Sequence, residues 1–431
     1  MLLEIEIQNE RAFAEASSLS LIASKLKEAN DDAVRDVGNL AKTRALTSAL
    51  ILGKNGSGKS SLIDAFSFVS RFVRSSAKDS QADEELEYEP NELIDKRKNE
   101  PTRYRVLFSV QKYIYEYKFS FDKTRIVSES LDIADKSTRF RRAFSREWEK
   151  KSKSYIYEFG EAIYGPKHIW QKSTRENALF LSTAIQLNSE SLKDPYDWLA
   201  NYLRTTRIDA SGDTYTTKRC FEDKKFRKKV VSFLQAMDIN IEDLQFEEED
   251  IDTNFLNKAF SKEFLKEMRS SGASPFLDKR KIVKFVKRKS DGSTTMLPIK
   301  EESTGTRALY NLAGPLHDTL ENGYCLLIDE INTSLHPVVV HFLIKMFNSK
   351  RTNPKRAQLI CTSHDVSILR DEFVRRDQVW FIENDGCGAQ LVPLSDYAPR
   401  RTEALERGYL RGRYGGIPTI DSYLLKFVDT E

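Results

Sequence analysis

The stretch SALILGKNGSGKSSLIDA, residues 48–65, constrains this chain more than any other. The apolar run from Ala49 to Leu52 reads as a buried strand, and Leu62, Ile63, Ala65 and Phe66 fall at helical spacing after it. Between them, Gly53-x4-Gly58-Lys59-Ser60 matches the phosphate-loop pattern, with the strand before and the helix after that the pattern requires. Its glycines let the backbone turn its N–H groups inward towards phosphate oxygens. The helix N-terminus adds partial positive charge, and Lys59 reaches the terminal phosphates. Ser60 is placed to hold Mg²⁺. Gly53, Lys54, Asn55, Gly56, Ser57, Gly58, Lys59, Ser60 and Ser61 are therefore the expected nucleotide-binding set.

A second half-site lies far downstream. Tyr324–Glu330, YCLLIDE, is an apolar run ending in two carboxylates, as a parallel strand buried on both faces would be. Ligands bind at the carboxyl ends of such strands. Asp329 is expected in the magnesium shell, with Glu330 as the general base that orients the attacking water. Ser334-Leu335-His336-Pro337 follows, then a helical run, then an apolar strand ending in Thr362-Ser363-His364-Asp365. A histidine just past that strand end, His364, is placed to sense a γ-phosphate.

Bulk properties exclude several classes. Charged residues make up 31% of the 431, and mean hydropathy is −0.52. No apolar run approaches the roughly 20 residues of a membrane span. The alternating N-terminus lacks a signal-peptide layout, so a cytoplasmic protein is expected. Four cysteines without CxxC spacing suggest neither zinc nor a disulfide framework. A net charge of +3 neither demands nor excludes a polyanionic partner.

Residues 2–8 alternate as an antiparallel strand, and residues 104–121 and 125–133 read as a meander of further strands. The charge run at 135–155 reads as a solvated strand pair or helix face, with a nucleic-acid patch as the alternative. From Asn177 to Met237 the spacing is helical, and residues 257–269 are helix-like again. The basic stretch DKRKIVKFVKRKS, residues 278–290, is either a lysine-protected edge strand or a contact for a phosphate backbone.

Glu302-Ser303-Thr304-Gly305-Thr306 (ESTGT), followed by an apolar helix and the Asp-Glu strand, resembles the signature motif of ABC-type ATPases. It is similar to the SMC/RecF/OLD-like variant rather than to the transporter LSGGQ. SLHP resembles the D-loop (Ser334, Leu335, His336), and His364 resembles the switch histidine. Gln186 is the candidate magnesium-sensing Q-loop residue. LFLSTAIQLN, EESTGTRALYNLAGPL, LLIDEINTSLHP, AQLICTSHD, RRDQVWFIE and YLRGRYGGIP together resemble the single-chain AAA-15/AAA-21-type ATPases of abortive infection and phage defence, including the RloA-like proteins.

That resemblance implies an α/β fold: an ABC-type P-loop NTPase core, its mixed or parallel sheet flanked by helices, with an antiparallel β-subdomain and a helical insertion. It implies an N-terminal ATPase lobe over 1–175, the insertion over 176–275 and a C-terminal lobe over 276–431. It further implies ATP and Mg²⁺ as ligands, and a homodimer or higher oligomer in which Ser303, Gly305 and Thr306 reach the partner's ATP in trans. Because the chain ends soon after Pro418, no nuclease activity of its own is expected. An effector in trans, a nuclease, is expected as the partner in antiviral defence, with DNA or a phage component as a further one. Two rival classes stay open. One is a RecF/SMC-like DNA-binding ATPase of repair, supported by residues 278–290 and the arginines around 400–413. The other is a transporter's nucleotide-binding subunit, which the ESTGT signature disfavours.

Overall fold

Strands that are apolar on both sides must be covered on both faces. In a computed structural model of the chain, Ser48–Leu52, Cys325–Asp329 and Gln358–Ser363 lie side by side in one parallel sheet. The structure describes residues 1–25, 31–37, 43–78, 81, 83–135, 139–208, 214–250, 279–370, 374–400 and 403–418. The helix-like run at 257–269 lies outside them. Contacts divide the chain into two compact units, residues 1–207 with 319–332 and 340–431, and residues 208–318 with 333–339.

The sheet of the first unit has six strands. Leu203–Arg207, Cys325–Asp329, Gln358–Ser363, Ser48–Leu52 and Val379–Asn384 run parallel in that order, and Ala389–Pro393 closes the edge antiparallel. The histidine strand thus lies between the phosphate-loop strand and the carboxylate strand, with Ile360 level with Leu327 and Cys361 level with Leu50. All three therefore deliver their functional ends to one rim of the sheet.

The helix Lys59–Ser75 covers one face of this sheet, and its far side meets a second sheet. That second sheet is a seven-stranded antiparallel subdomain in the order Ser154–Phe159, Arg141–Glu149, Ile126–Ala134, Tyr113–Phe121, Thr102–Val110, Leu2–Gln8, Ser17–Ser20. On the helix, Phe68 stacks against Phe121 at 5.3 Å between ring centroids, Phe72 meets the same ring at a tilt at 5.7 Å, and Phe68 lies 5.5 Å from Tyr104. A helix between two sheets must be apolar nearly all round, which its buried Leu62, Ile63, Phe66, Phe68, Val69, Phe72 and Val73 provide. The charge run after residue 135 is the strand pair Arg141–Glu149 and Ser154–Phe159.

The helical run that begins at Asn177 is not all peripheral. Phe180–Gln186 and Lys193–Asn201 pack on the phosphate-loop helix, where Ser182 Oγ donates to Val73 O (2.6 Å) and Ser70 Oγ to Ala200 O (3.0 Å). Glu129, fully buried, anchors the first of them by accepting from Phe180 N (2.7 Å) and Leu181 N (3.0 Å). Arg146, equally buried, neutralises that carboxylate at 3.0 Å. Removing one partner of such a pair leaves a buried charge, which costs about 3–5 kcal/mol.

The second unit holds the helices Thr214–Glu222 and Lys224–Ala236, a three-stranded antiparallel sheet, and the start of the long helix Thr304–Asn322. Lys279–Arg288 is the middle strand of that sheet, between Asp243–Asp250 and Thr294–Pro298, so it is not an edge strand. Its neighbour carries the acidic run. Lys284 pairs with Glu247 (2.5 Å), Lys287 with Glu302 (2.7 Å) and Arg288 with Glu242 (3.0 Å). The basic stretch that resembled a phosphate-backbone contact thus spends these three charges on carboxylates of its own unit.

Candidate functional site

The phosphate loop begins where Leu52 ends its strand and closes at Gly58, whose φ of +109° suits glycine alone. A Cβ there would also lie 2.9 Å from Ala12 Cβ. Gly58 gives the helix no side-chain cap, so the first-turn N–H groups are left for an acceptor from outside the helix. Lys59 folds back along the loop, donating from Nζ to Gly53 O (2.8 Å) and Lys54 O (2.9 Å). Burial lowers its pKa, and the nearby Glu330 and Asp329 oppose that shift. Among the described residues this ammonium makes no direct ion pair, and its hydrogen bonds go to loop carbonyls.

Ser60 Oγ donates to Asp329 Oδ2 at 2.7 Å, joining the loop to the carboxylate strand. The other oxygen, Asp329 Oδ1, accepts from Thr362 Oγ1 (2.6 Å), and the same hydroxyl accepts from Glu330 N (2.7 Å). Glu330 has φ +50°, a left-handed conformation that an ordinary residue keeps only when held there. The Thr362 hydroxyl is part of what holds it. Asn332 adds a second tie, its Oδ1 accepting from Ser363 Oγ and from His364 N, both at 3.1 Å.

His364 Nε2 lies 3.9 Å from Glu330 Oε1, beyond direct hydrogen-bond reach, so both groups can address one atom that lies to the side of the line joining them. Burial is the main cause lowering the pKa of His364. Lys59 lowers it further, and Glu330 and Asp329 pull the other way. At neutral pH the imidazole is therefore uncharged, free to donate from one nitrogen and accept at the other.

Lys59, Ser60, Asp329, Glu330 and His364 thus meet in the first unit, where the sequence places them in one site. Gln186 stands apart. It is exposed at the C-terminal end of Phe180–Gln186, and among the described residues no hydrogen bond joins it to Ser60 or Asp329. Thr362 and Asn332 had no role in the sequence reading. Their signal was present in TSHD and DEIN, but only the pairing of strands shows what their side chains touch.

The second unit assembles the other motif. Ser303 caps the helix Thr304–Asn322, its Oγ accepting from Thr306 N at 3.1 Å and lying 3.0 Å from Thr306 Oγ1. Glu302, just before it, is held by Lys287. A Cβ on Gly305 would lie 2.8 Å from Ser334 O, so the first turn of this helix rests on the Ser334-Leu335-His336 segment, where Ser334 has φ +62°. His336 Nδ1 in turn accepts from Val338 N (3.3 Å) at the start of Pro337–Asn348.

No helix among the described residues is long and apolar enough to cross a membrane. No curated protein matches the chain. Among solved structures it is similar to the SMC head domain from Thermotoga maritima (12% identity, TM-score 0.39, covering 91% of this chain and 98% of that one). It is likewise similar to the recombination mediator protein RecF of the RecFOR pathway (14% identity, TM-score 0.39, 91% and 98%). A third similar structure is the Smc head domain from Pyrococcus yayanosii (10% identity, TM-score 0.38, 95% and 99%). The AAA_21 family, described as "AAA domain, putative AbiEii toxin, Type IV TA system", matches residues 48–370. With a P-loop strand, a carboxylate strand and a histidine strand sharing one rim, the chain belongs to this family of ABC-type ATPases.

Proposed function

We propose that the chain binds ATP with Mg²⁺, hydrolyses it, and uses the cycle to close and open a homodimer that governs a partner effector, a nuclease in trans, in anti-phage defence. The observation that carries the ATPase reading is the convergence of Lys59, Ser60, Asp329, Glu330 and His364. The uncapped helix N-terminus and the Lys59 ammonium fit phosphate oxygens. The oxygen pair of Ser60 and Asp329 fits Mg²⁺, a hard cation that takes one or two protein oxygens and keeps water and phosphate for the rest. When bound, Mg²⁺ neutralises charge on the phosphates.

The chain's own groups do the remaining work. Glu330, half-exposed at the sheet rim, accepts the proton of the attacking water, and the neutral His364 orients that water or the γ-phosphate from the facing strand end. Thr362 holds the Glu330 backbone, and Asn332 holds that of His364. Gln186 serves as a magnesium sensor only if nucleotide brings it to the site. At the start of Thr304–Asn322 the Ser303 hydroxyl takes the Thr306 N–H, and the Ser303, Gly305 and Thr306 motif offers its remaining first-turn N–H groups to the γ-phosphate held by a second copy. Binding energy from that contact favours the closed dimer, and hydrolysis removes it.

The test is light scattering on Glu330→Gln with and without ATP–Mg²⁺, alongside a hydrolysis assay. The expected result is an ATP-dependent doubling of mass with hydrolysis lowered by about a hundredfold or more. Hydrolysis at the native rate would remove Glu330 as the base. A protein that binds ATP yet stays monomeric would remove the trans contact.

A further inference from the structure

The segment Gly412-Arg413-Tyr414-Gly415-Gly416 carries no chemistry that its residue types disclose, but its place in the fold is specific. After the short helix Leu405–Leu410 the chain turns back onto the sheet face opposite the phosphate-loop helix. Alternation along the strands separates the two faces: Ile51, Trp380 and Ile382 join the helix side, and Leu52, Val379 and Phe381 the other. There Phe381 stacks on Tyr409 and Tyr414, at 5.5 and 5.8 Å between centroids.

These tyrosines bring Gly416 against the phosphate loop. Gly416 has φ +79°, and a Cβ on it would lie 3.2 Å from Gly53 Cα and 3.5 Å from Leu52 O and Ile382 O. Tyr409 OH fixes it by donating to Gly416 O at 2.9 Å. One residue earlier, Gly415 N donates to Tyr397 OH (3.1 Å). Gly53 is the residue that opens the phosphate loop, and its carbonyl is one of the two that Lys59 Nζ grips. The loop's far end, Gly58, is braced separately by Ala12 and Ala389. Beside this strap, residues 412–416, the side chains of Lys54, Glu383, Asn384, Tyr397 and Arg413 line a cleft of about 400 Å³. Lys54 lines that cleft, and Gly416, at its edge, packs against the buried Gly53, where it opposes outward movement of the loop's first residues.

We propose that Gly416 is a positioning residue for the phosphate loop: carried by Tyr409 and Tyr414, it holds Gly53 and Lys54 inward so that Lys59 and the loop N–H groups are pre-set for phosphate. The inference rests on the ATP-binding reading above. The strap touches the loop and not Glu330, so it acts on ground state and transition state alike. Loosening it raises KM and leaves kcat unchanged.

The experiment compares the native chain, Gly416→Ala, Tyr409→Phe and Lys59→Ala by calorimetric titration with ATP–Mg²⁺, steady-state hydrolysis, and thermal unfolding without nucleotide. Tyr409→Phe keeps the ring stack and removes one hydrogen bond, so its ATP affinity is expected to fall about 2- to 10-fold. Gly416→Ala, strained at positive φ and crowded against Gly53, is expected to lose about tenfold or more. In both, kcat at saturating ATP stays within about twofold of native, with KM rising in step with Kd. Native affinity in either folded variant overturns the proposal, as does a loss of affinity that only tracks the unfolded fraction. Should Gly416→Ala fail to fold, Tyr409→Phe decides alone. A native chain that binds no ATP, like Lys59→Ala, refutes the underlying reading instead.

Discussion

Replacing Thr362 by valine removes one hydroxyl from the site while keeping the β-branched shape that its fully buried strand position requires. Two contacts go with it: the donation to Asp329 Oδ1 at 2.6 Å and the acceptance from Glu330 N at 2.7 Å. A hydrogen bond to a charged group contributes about 1.5–3 kcal/mol and an ordinary one about 0.5–1.5. Asp329 keeps Ser60 and solvent, so the expected loss of stability is about 2 kcal/mol. The catalytic loss is larger in relative terms. Without its anchor, the Glu330 backbone relaxes from φ +50° and its carboxylate moves by about 1 Å, a displacement that costs on the order of a hundredfold in rate. The assay is ATP hydrolysis under saturating nucleotide, with ATP affinity measured separately and chemical denaturation as the stability control. Thr362→Val should bind ATP nearly as the native chain does and turn over about 10- to 100-fold more slowly. Thr362→Ser, which keeps the hydroxyl and loses a methyl, should recover most of the rate despite a stability cost of about 1 kcal/mol. Native turnover in Thr362→Val, or a serine variant as slow as the valine one, would refute the anchoring argument.

Other perturbations read other parts of the structure. Burial pushes the Glu10 carboxyl up to about 8, with Arg11 opposing, so Glu10 is protonated in the folded chain at neutral pH. Its folded pKa lies above its unfolded one, so this contribution is fully present below the ordinary 4.5 and is lost as pH rises through about 8. Glu10→Gln should flatten the decline in melting temperature between those limits, and an unchanged pH profile would contradict the assignment. Ser60→Ala should leave the fold intact, weaken ATP binding in the presence of Mg²⁺, and leave metal-free binding nearly unaffected, as titrations with and without chelator would show. Phe68→Ala, at a position buried between the two sheets, should cost about 3–5 kcal/mol in denaturant unfolding. A loss below 1 kcal/mol would mean that the helix does not bridge them.

The site was legible to the degree that its residues sit in short contiguous motifs. A phosphate loop needs a strand, glycines, a lysine and a helix within 18 residues, and all of that is local backbone chemistry written in residues 48–65. The two carboxylates and the histidine were readable because each ends an apolar run, and a run buried on both faces has few alternatives to a parallel strand. The antiparallel subdomain was readable from period-two alternation, as in Leu2–Gln8.

Charge runs and helical spacing were less informative, because they do not specify a neighbour. The basic strand Lys279–Arg288 has the composition of a phosphate-backbone contact, and only its pairing with Asp243–Asp250 shows that Lys284 meets Glu247. Helical spacing marked Phe180–Gln186 and Lys193–Asn201 as helices but could not say that they pack on the phosphate-loop helix. That depends on Glu129 and Arg146, contributed by distant strands.

Residue by residue, then, the sequence alone determined the elements whose cause is local: which segment carries the phosphate-loop pattern between a strand and a helix, which strand ends carry carboxylates, and which sheet alternates. Only the tertiary structure decided that the histidine strand lies between the other two, which sets Thr362 on both Asp329 and Glu330, and that Gly416 rests on Gly53. Those contacts join residues 33 and 363 positions apart or thereabouts, and chain spacing carries no signal for them. What selects them is the burial of apolar faces, a non-directional force that brings distant segments together, after which hydrogen-bond geometry chooses among the few arrangements left.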